Sequence, residues 1–116
     1  MQFFTFYYLF TMTKQDYLKQ FKEVTDKMYS ITDKKGSDYS WENNIFKNFE
    51  LCERRGIETS DWMFVRMLDK VSRIGELLHR ENKVADEKLE DTLIDLANYS
   101  LILFIYLKNK QLRCIQ

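Results

Sequence analysis

The chain has 116 residues, of which 45% are hydrophobic and 16% aromatic, a composition that supports a packed core and excludes extensive disorder. Basic and acidic residues number 18 each, and this zero net charge argues against a dedicated binder of duplex nucleic acid. With no proline and only three glycines, the chain lacks the turn residues of an all-β fold and favours long helices joined by short loops.

Residues 1–12 form an uncharged, aromatic-rich N-terminal segment. This segment is shorter than the roughly 20 apolar residues that span a bilayer, and it lacks the features of a signal peptide. It is either an apolar strap that packs on the body or on a neighbouring subunit, or an upstream extension of a protein that starts at Met12. In neither case do we expect a membrane protein. Cys52 and Cys114 lie far apart and suit free thiols in a reducing cytoplasm, where we place the protein.

Residues 13–116 are predicted to form a single all-α domain with four helices. The first predicted helix runs from about Lys14 to Thr32 after an N-cap at Thr13, and the second from Glu42 to Arg55 before a C-terminal Gly56. The third begins after an N-cap at Ser60 and ends at Glu81, and the fourth runs from Asp86 to Lys110. Residues 33–38 are predicted to be a loop. No repeat or linker interrupts this order, so we expect one four-helix bundle.

Apolar residues at helical spacing indicate which side of each helix faces the core. The predicted core stripes are Tyr17, Phe21, Val24, Met28 and Ile31 in the first helix, Ile45, Phe46, Phe49 and Cys52 in the second, and Phe64, Met67, Leu68, Val71, Ile74 and Leu78 in the third. The fourth helix is apolar on nearly all sides from Thr92 to Leu107, so we expect it to be buried on most sides. Such an extensive apolar surface also favours assembly into a homodimer or tetramer.

Polar residues interrupt this pattern on the last two helices. The third helix carries a charged stripe made of Arg66, Asp69, Lys70, Arg73 and Arg80. In the fourth, Asp95 and Asn98 lie inside the apolar run and form one edge with Asp91. An unpaired buried carboxylate costs several kcal/mol, so Asp95 requires a partner, either a cation such as Arg66 or Arg73 or a divalent metal ion.

The residues alone leave two interpretations of this polar set open. In the structural one, Asp91 and Asp95 pair with arginines across a helix interface, and the charged stripe is otherwise a solvated face. In the functional one, Asp69, Asp91 and Asp95 hold Mg²⁺, which prefers a few carboxylates together with waters and phosphates. The arginines would then bind phosphate oxygens. In the loop before the second helix, Lys34 would meet a triphosphate and Tyr39 would stack on a base, or both belong to an ordinary exposed turn.

Three segments together resemble a known family. They are KKGSDYS (Lys34–Ser40), VRMLDKVSRIGELL (Val65–Leu78) and VADEKLEDTLIDLANYSLIL (Val84–Leu103). This set, within about residues 20–107, resembles the phage-associated family called nucleotide modification associated domain 1. That family is regarded as related to the MazG-like all-α nucleoside triphosphate pyrophosphohydrolases.

The resemblance implies a MazG-like four-helix core that forms a homo-oligomer. It also implies Mg²⁺-dependent hydrolysis of a ribo- or deoxynucleoside triphosphate to the monophosphate and pyrophosphate, in the host cytoplasm if a phage encodes the protein. Carried over residue by residue, the carboxylates that hold metal and drive catalysis are Asp69, Asp91 and Asp95. The residues that contact the substrate are Lys34, Asp38, Tyr39, Arg66, Lys70, Arg73 and Asn98.

The sequence departs from the pyrophosphohydrolase pattern at its carboxylates. The second acidic residue of an ExxE pattern is missing, because Ser72 stands three positions after Asp69, and Asp91 and Asp95 are four apart where ExxD requires three. Fewer carboxylates and more arginines favour holding an anion over holding two metal ions. The alternative function is therefore a nucleotide-sequestering protein without turnover, for example against a host nucleotide signal. A third hypothesis is an oligomerisation module whose charged residues form interface ion pairs.

Overall fold

A computed structural model describes residues 11–38, 45–80 and 83–115, and the regular elements in these ranges are all helical. They are α1 (Lys14–Asp38), α2 (Lys47–Glu50), a 3₁₀ helix (Leu51–Arg55), α3 (Thr59–Leu77) and α4 (Lys83–Ile115). The all-α prediction is thus confirmed for the described residues, while the four-helix bundle and the oligomer stay predictions. The proposed N-terminal segment lies outside the described residues except for Thr11 and Met12.

The chain divides into two compact units, Met1–Lys35 and Gly36–Gln116. At the start of α1, the Thr13 side-chain oxygen accepts a hydrogen bond from the Asp16 backbone N–H at 3.1 Å, which confirms the predicted N-cap. The predicted loop at residues 33–38 is wrong, because α1 continues through it to Asp38. A glycine such as Gly36 costs a helix only about 1 kcal/mol, and no proline is present to end it.

The stripe predicted to face the core on α1 is largely exposed. Tyr17, Phe21 and Val24 are each about half exposed, whereas Met28 is buried and Ile31 half-buried. Hydrophobic spacing therefore identified an apolar side of α1 correctly, but only its C-terminal part is covered.

In the second unit, the helix predicted from Glu42 to Arg55 is a short α2 that tightens into the 3₁₀ helix; its first three predicted residues lie outside the described ranges. Gly56 ends the 3₁₀ helix with a left-handed φ of 79°, as its position predicted. α3 begins at Thr59 and not after Ser60. Thr59 is fully buried and donates a hydrogen bond to Glu53 Oε1 at 2.7 Å. This bond ties the start of α3 to the 3₁₀ helix and explains the earlier start.

α3 and α4 pack against each other as an antiparallel pair. At one end the Lys110 ammonium lies 3.1 Å from Glu58 Oε1, and further along the pair Lys70 lies 3.3 Å from Asp95. The buried residues of this unit are Thr59, Met63, Leu77, Thr92 and Tyr106. The Tyr106 ring also meets Phe46 edge-on, with ring centroids 5.2 Å apart, so the segment before α2 closes one end of the pair.

The most apolar sides of both helices point away from this interface. On α3, the residues we call the outer stripe (Phe64, Leu68, Val71 and Leu78) are exposed, and so are Leu93, Leu101, Phe104 and Ile105 on α4. Their predicted place in the core is therefore wrong, and Met67 and Ile74 are only half-buried. The reason is that α3 meets α4 with a mixed side, which contains the buried Met63 and Leu77 together with Lys70. Among the described residues, no helix combines the length and apolar character that crossing a membrane requires.

Candidate functional site

Part of the charged stripe of α3 lies against α4, since Arg66 and Lys70 are half-buried whereas Asp69, Arg73 and Arg80 are exposed. Lys70 is the best covered of these residues, with 18% of its side chain exposed, and its ammonium lies 3.3 Å from the Asp95 carboxylate, which is 40% exposed. Asp95 thus has the cationic partner that its place in an apolar run required. The prediction that the cation paired with Asp95 is Arg66 or Arg73 was wrong, because Lys70 occupies the position opposite Asp95.

Arg66 is half-buried one turn before Lys70. Its guanidinium lies 3.4 Å from Asp69 Oδ2 on the same helix. A hydrogen bond to the Tyr99 side chain of α4 is the main cause that raises the pKa of Arg66 above its ordinary value. Arg66 therefore connects α3 to α4 while it neutralises Asp69.

Beyond Lys70, towards the turn that leads to α4, the two helices border a cavity of about 380 Å³. It is lined by Asp69, Ser72, Arg73, Glu76, Leu77, Arg80 and Lys88. Its volume lies near the lower end of the range for small-molecule sites, roughly 300–1,000 Å³. Three cations and two carboxylates on its walls make it a charged cavity with a basic excess.

The structure brings part of the predicted site together. Asp69 and Arg73 line the cavity, and Lys70 with Asp95 lies next to it along the interface. Asp91 is exposed and Asn98 half-buried, and neither lines this cavity.

The predicted site residues from the loop are placed differently. Lys34 is exposed on α1 and belongs to the first unit. Asp38 is the last residue of α1, and Tyr39 lies outside the described residues. The substrate-binding roles of these three positions therefore stay predictions.

Sequence reasoning left Ser72, Glu76 and Lys88 out of the site, and it placed Arg80 on the stripe without a role. Glu76 follows Asp69 by two helical turns, a spacing that could have indicated a shared side. Lys88 became visible only through the register. In an antiparallel pair, the two helices run in opposite directions from the contact between Lys70 and Asp95. The position seven residues after Lys70 on α3 is therefore opposite the position seven residues before Asp95 on α4, which is Lys88.

The cavity offers a limited set of ligands for a metal ion. Within the described ranges, no three His, Cys, Asp or Glu side chains are grouped so that they could hold one. Mg²⁺ needs less than a closed protein site, since one or two carboxylates with waters and substrate phosphates suffice. Asp69 and Glu76 both line the cavity and meet this smaller requirement.

Comparison with known protein families gives a match over the part of the chain that contains the cavity. Residues 53–107 match the model of the family described as Nucleotide modification associated domain 1. The resemblance seen in the sequence is thereby confirmed over this range, which runs from the 3₁₀ helix through α3 into α4 and contains the whole cavity lining. No curated protein and no solved structure matches the chain.

Proposed function

We propose that the α3–α4 pair binds a nucleotide through its phosphates. The observation that carries this proposal is the cavity in which Arg73, Arg80 and Lys88 converge from two helices. Arginine presents a planar fork of donors that suits phosphate oxygens, and lysine adds a compact positive charge. The description of the family model over residues 53–107, which names nucleotide modification, supports a nucleotide as the ligand.

Each lining residue has a definable task in such a site. Arg73 of α3 and Arg80 of the turn that follows α3 would each donate paired hydrogen bonds to a phosphate group. Lys88 supplies charge from α4, and the buried Leu77 closes the cavity between them. Lys70 is held by Asp95 and Arg66 by Tyr99 and Asp69, so these two cations position the helices.

A second candidate function is Mg²⁺-dependent hydrolysis of a nucleoside triphosphate to the monophosphate and pyrophosphate, as in MazG-like enzymes. It is favoured by Asp69 and Glu76, which place two carboxylates on the wall of a basic cavity. Their positions are about 10 Å apart along the helix axis, so one of the two would hold the ion, with waters and substrate phosphates as further ligands. When bound, Mg²⁺ neutralises phosphate charge and lowers the pKa of a coordinated water. Sequestration without turnover is the outcome if the carboxylates serve only to select and orient the anion.

The wider setting that we propose is phage nucleotide metabolism in the host cytoplasm, with the chain assembled as a homodimer or tetramer around a MazG-like four-helix core. The exposed outer stripe of α3 and the exposed apolar residues of α4 support assembly, because monomers rarely leave such continuous apolar surface in water.

The test of the proposed function is a joint binding and product assay on the full chain. A panel of ribo- and deoxynucleoside triphosphates is incubated with Mg²⁺ or with a chelator, and products are resolved by ion-exchange chromatography. Binding in chelator is measured by calorimetry. Monophosphate and pyrophosphate that appear only with Mg²⁺ would establish hydrolysis, and stoichiometric binding without products would establish sequestration. Neither binding nor turnover with any nucleotide would contradict the proposal.

A further inference from the structure

The walls of the α3–α4 cavity differ from those of a typical nucleoside pocket. Among the described residues, five of the lining side chains are charged, Ser72 is polar, Leu77 is aliphatic, and none is aromatic. We propose that this cavity recognises the polyphosphate chain itself, with little discrimination among bases, so that inorganic pyrophosphate and tripolyphosphate are ligands in their own right. This inference rests on the proposed function and names the part of the ligand that is bound.

The first argument is the charge that the protein leaves uncompensated. The ion pairs of the described residues in this unit join Arg66 to Asp69, Lys70 to Asp95, and Lys110 to Glu58. None of these involves Arg73, Arg80 or Lys88. The described lining of the cavity therefore holds three cations and two carboxylates, of which Asp69 also pairs with Arg66. Like charges that converge on one space repel each other, and a multivalent anion relieves that repulsion better than a singly charged one.

The second argument is the spacing of the cations. Arg73 lies near the C-terminal end of α3, and Arg80 follows seven residues later in the turn after that helix. Lys88 approaches from α4, opposite the buried Leu77. One phosphate group is small beside a cavity of about 380 Å³. A chain of two or three phosphates can contact both arginines and the lysine together, so the arrangement favours an extended polyanion.

The third argument concerns the base. Sequence-independent recognition of a base relies on stacking against aromatic rings, and selective recognition requires donors and acceptors aimed at its edge. Asn98 and Tyr99 of α4 do not line the cavity, and the Tyr99 side chain is engaged with Arg66. Within the described part of the chain, the lining therefore contains groups suited to phosphate oxygens and lacks a ring on which a base could stack.

The experiment measures affinities of the full chain by calorimetry in chelator at fixed ionic strength. The ligands are tripolyphosphate, pyrophosphate, phosphate, adenosine, and the four common nucleoside triphosphates. We expect tripolyphosphate to compete with each triphosphate, the four triphosphates to agree within about threefold, and adenosine not to bind. Arg80→Gln should weaken tripolyphosphate and triphosphates in parallel by about tenfold, the effect of losing one charge-assisted hydrogen bond. Arg80→Lys should retain part of the affinity.

Arg55→Gln is the matched control, because Arg55 is an exposed arginine on the 3₁₀ helix away from the cavity lining, and its affinities should equal those of the wild type. Base-selective triphosphate binding that tripolyphosphate does not displace would overturn this inference and leave the proposed function standing. Equal losses in Arg80→Gln and Arg55→Gln would overturn it as well, since binding would then be a general surface effect. Absence of binding by every nucleotide would instead overturn the proposed function.

Discussion

At the scale of single residues, Lys70 and Asp95 form the best covered ion pair among the described residues. Both side chains lie at the interface of α3 and α4, next to the cavity that holds Arg73. Removing one partner leaves the other charge partly desolvated, whereas removing both leaves no uncompensated charge. The pair therefore fixes the register of α3 against α4. Substitutions in this pair can also separate a structural role of Asp95 from a catalytic one.

A double-mutant cycle with Lys70→Met and Asp95→Asn tests the register role. We expect a coupling free energy of about 0.5–1 kcal/mol in chemical denaturation, the upper part of the range for partly exposed pairs. The exposed pair Lys22–Asp26 on α1, 2.7 Å apart, is the control and should give a smaller value. If hydrolysis is found, Asp95→Asn should preserve it; its complete loss in a folded variant would instead assign Asp95 to the metal, as the sequence resemblance implied.

A second prediction at this scale concerns Glu58 and its dependence on pH. The hydrogen bond from Lys110 lowers the pKa of Glu58 below its ordinary value. The stabilisation is thus present above the ordinary glutamate pKa and is lost as the pH falls through the lower folded-state value. We expect Glu58→Gln to reduce the melting temperature near pH 7 and to match the wild type only at a pH below that lowered folded-state pKa, where Glu58 is protonated and as neutral as glutamine. A difference of constant size across this range would contradict the assignment.

At the scale of secondary-structure elements, the ends of the helices were the most predictable features. Thr13 caps α1 through its own side chain, and Gly56 takes the left-handed conformation that few other residues adopt easily. Both are local properties of one or two residues. The start of α3 was not predictable in the same way, because Thr59 makes its hydrogen bond to Glu53, six residues earlier. Tertiary contact, and not local preference, decided that boundary.

Two glycine substitutions test this account of local conformation. Gly56→Ala should destabilise the fold by about 1 kcal/mol, because an added Cβ meets nothing within 4 Å and the cost comes from a φ of 79°. Gly75→Ala, in the interior of α3 with similar free space, should stabilise it by about 0.5–1 kcal/mol. Denaturant unfolding at one protein concentration measures both. Equal effects of the two substitutions would contradict the assignment of Gly56 to a left-handed position.

α3 also shows why apolar spacing alone did not locate the interface. Its apolar side, Phe64 with Leu68 and Val71, was assigned to the core, yet these residues are exposed, and the side with Arg66 and Lys70 meets α4. Periodicity identifies a side of a helix but not what covers it. The partner of a helix depends on the register with other elements, and a single sequence does not contain that register explicitly.

At the scale of the whole molecule, the fold class could be predicted because it depends on composition and on the absence of proline across the chain. The candidate site was predicted only in part. Asp69 and Arg73 were found because the charged stripe is visible in the sequence of α3. Lys88 was not, because its approach from α4 follows from the antiparallel register. Asp91 was included by its spacing from Asp95, yet it is exposed outside the cavity.

The exposed apolar sides lead to a prediction about assembly. We expect the full chain to be larger than a monomer in size-exclusion chromatography with light scattering, because assembly would cover the outer stripe of α3. Leu68→Glu in the centre of that stripe should shift the mass towards the monomer. The control is Arg55→Glu, because Arg55 is exposed on the 3₁₀ helix and belongs neither to the outer stripe nor to the cavity lining. A monomer at all concentrations would contradict the prediction.

The central claim is that the cavity between α3 and α4 binds nucleotide phosphates, and calorimetric titration of a nucleoside triphosphate in chelator tests it most directly. Wild type, Arg73→Gln and the control Arg55→Gln are compared at the same ionic strength, with circular dichroism to verify that each is folded. We expect binding by wild type and Arg55→Gln, and an affinity about tenfold lower for Arg73→Gln. Unchanged affinity in Arg73→Gln, or no binding by the wild type, would contradict the claim.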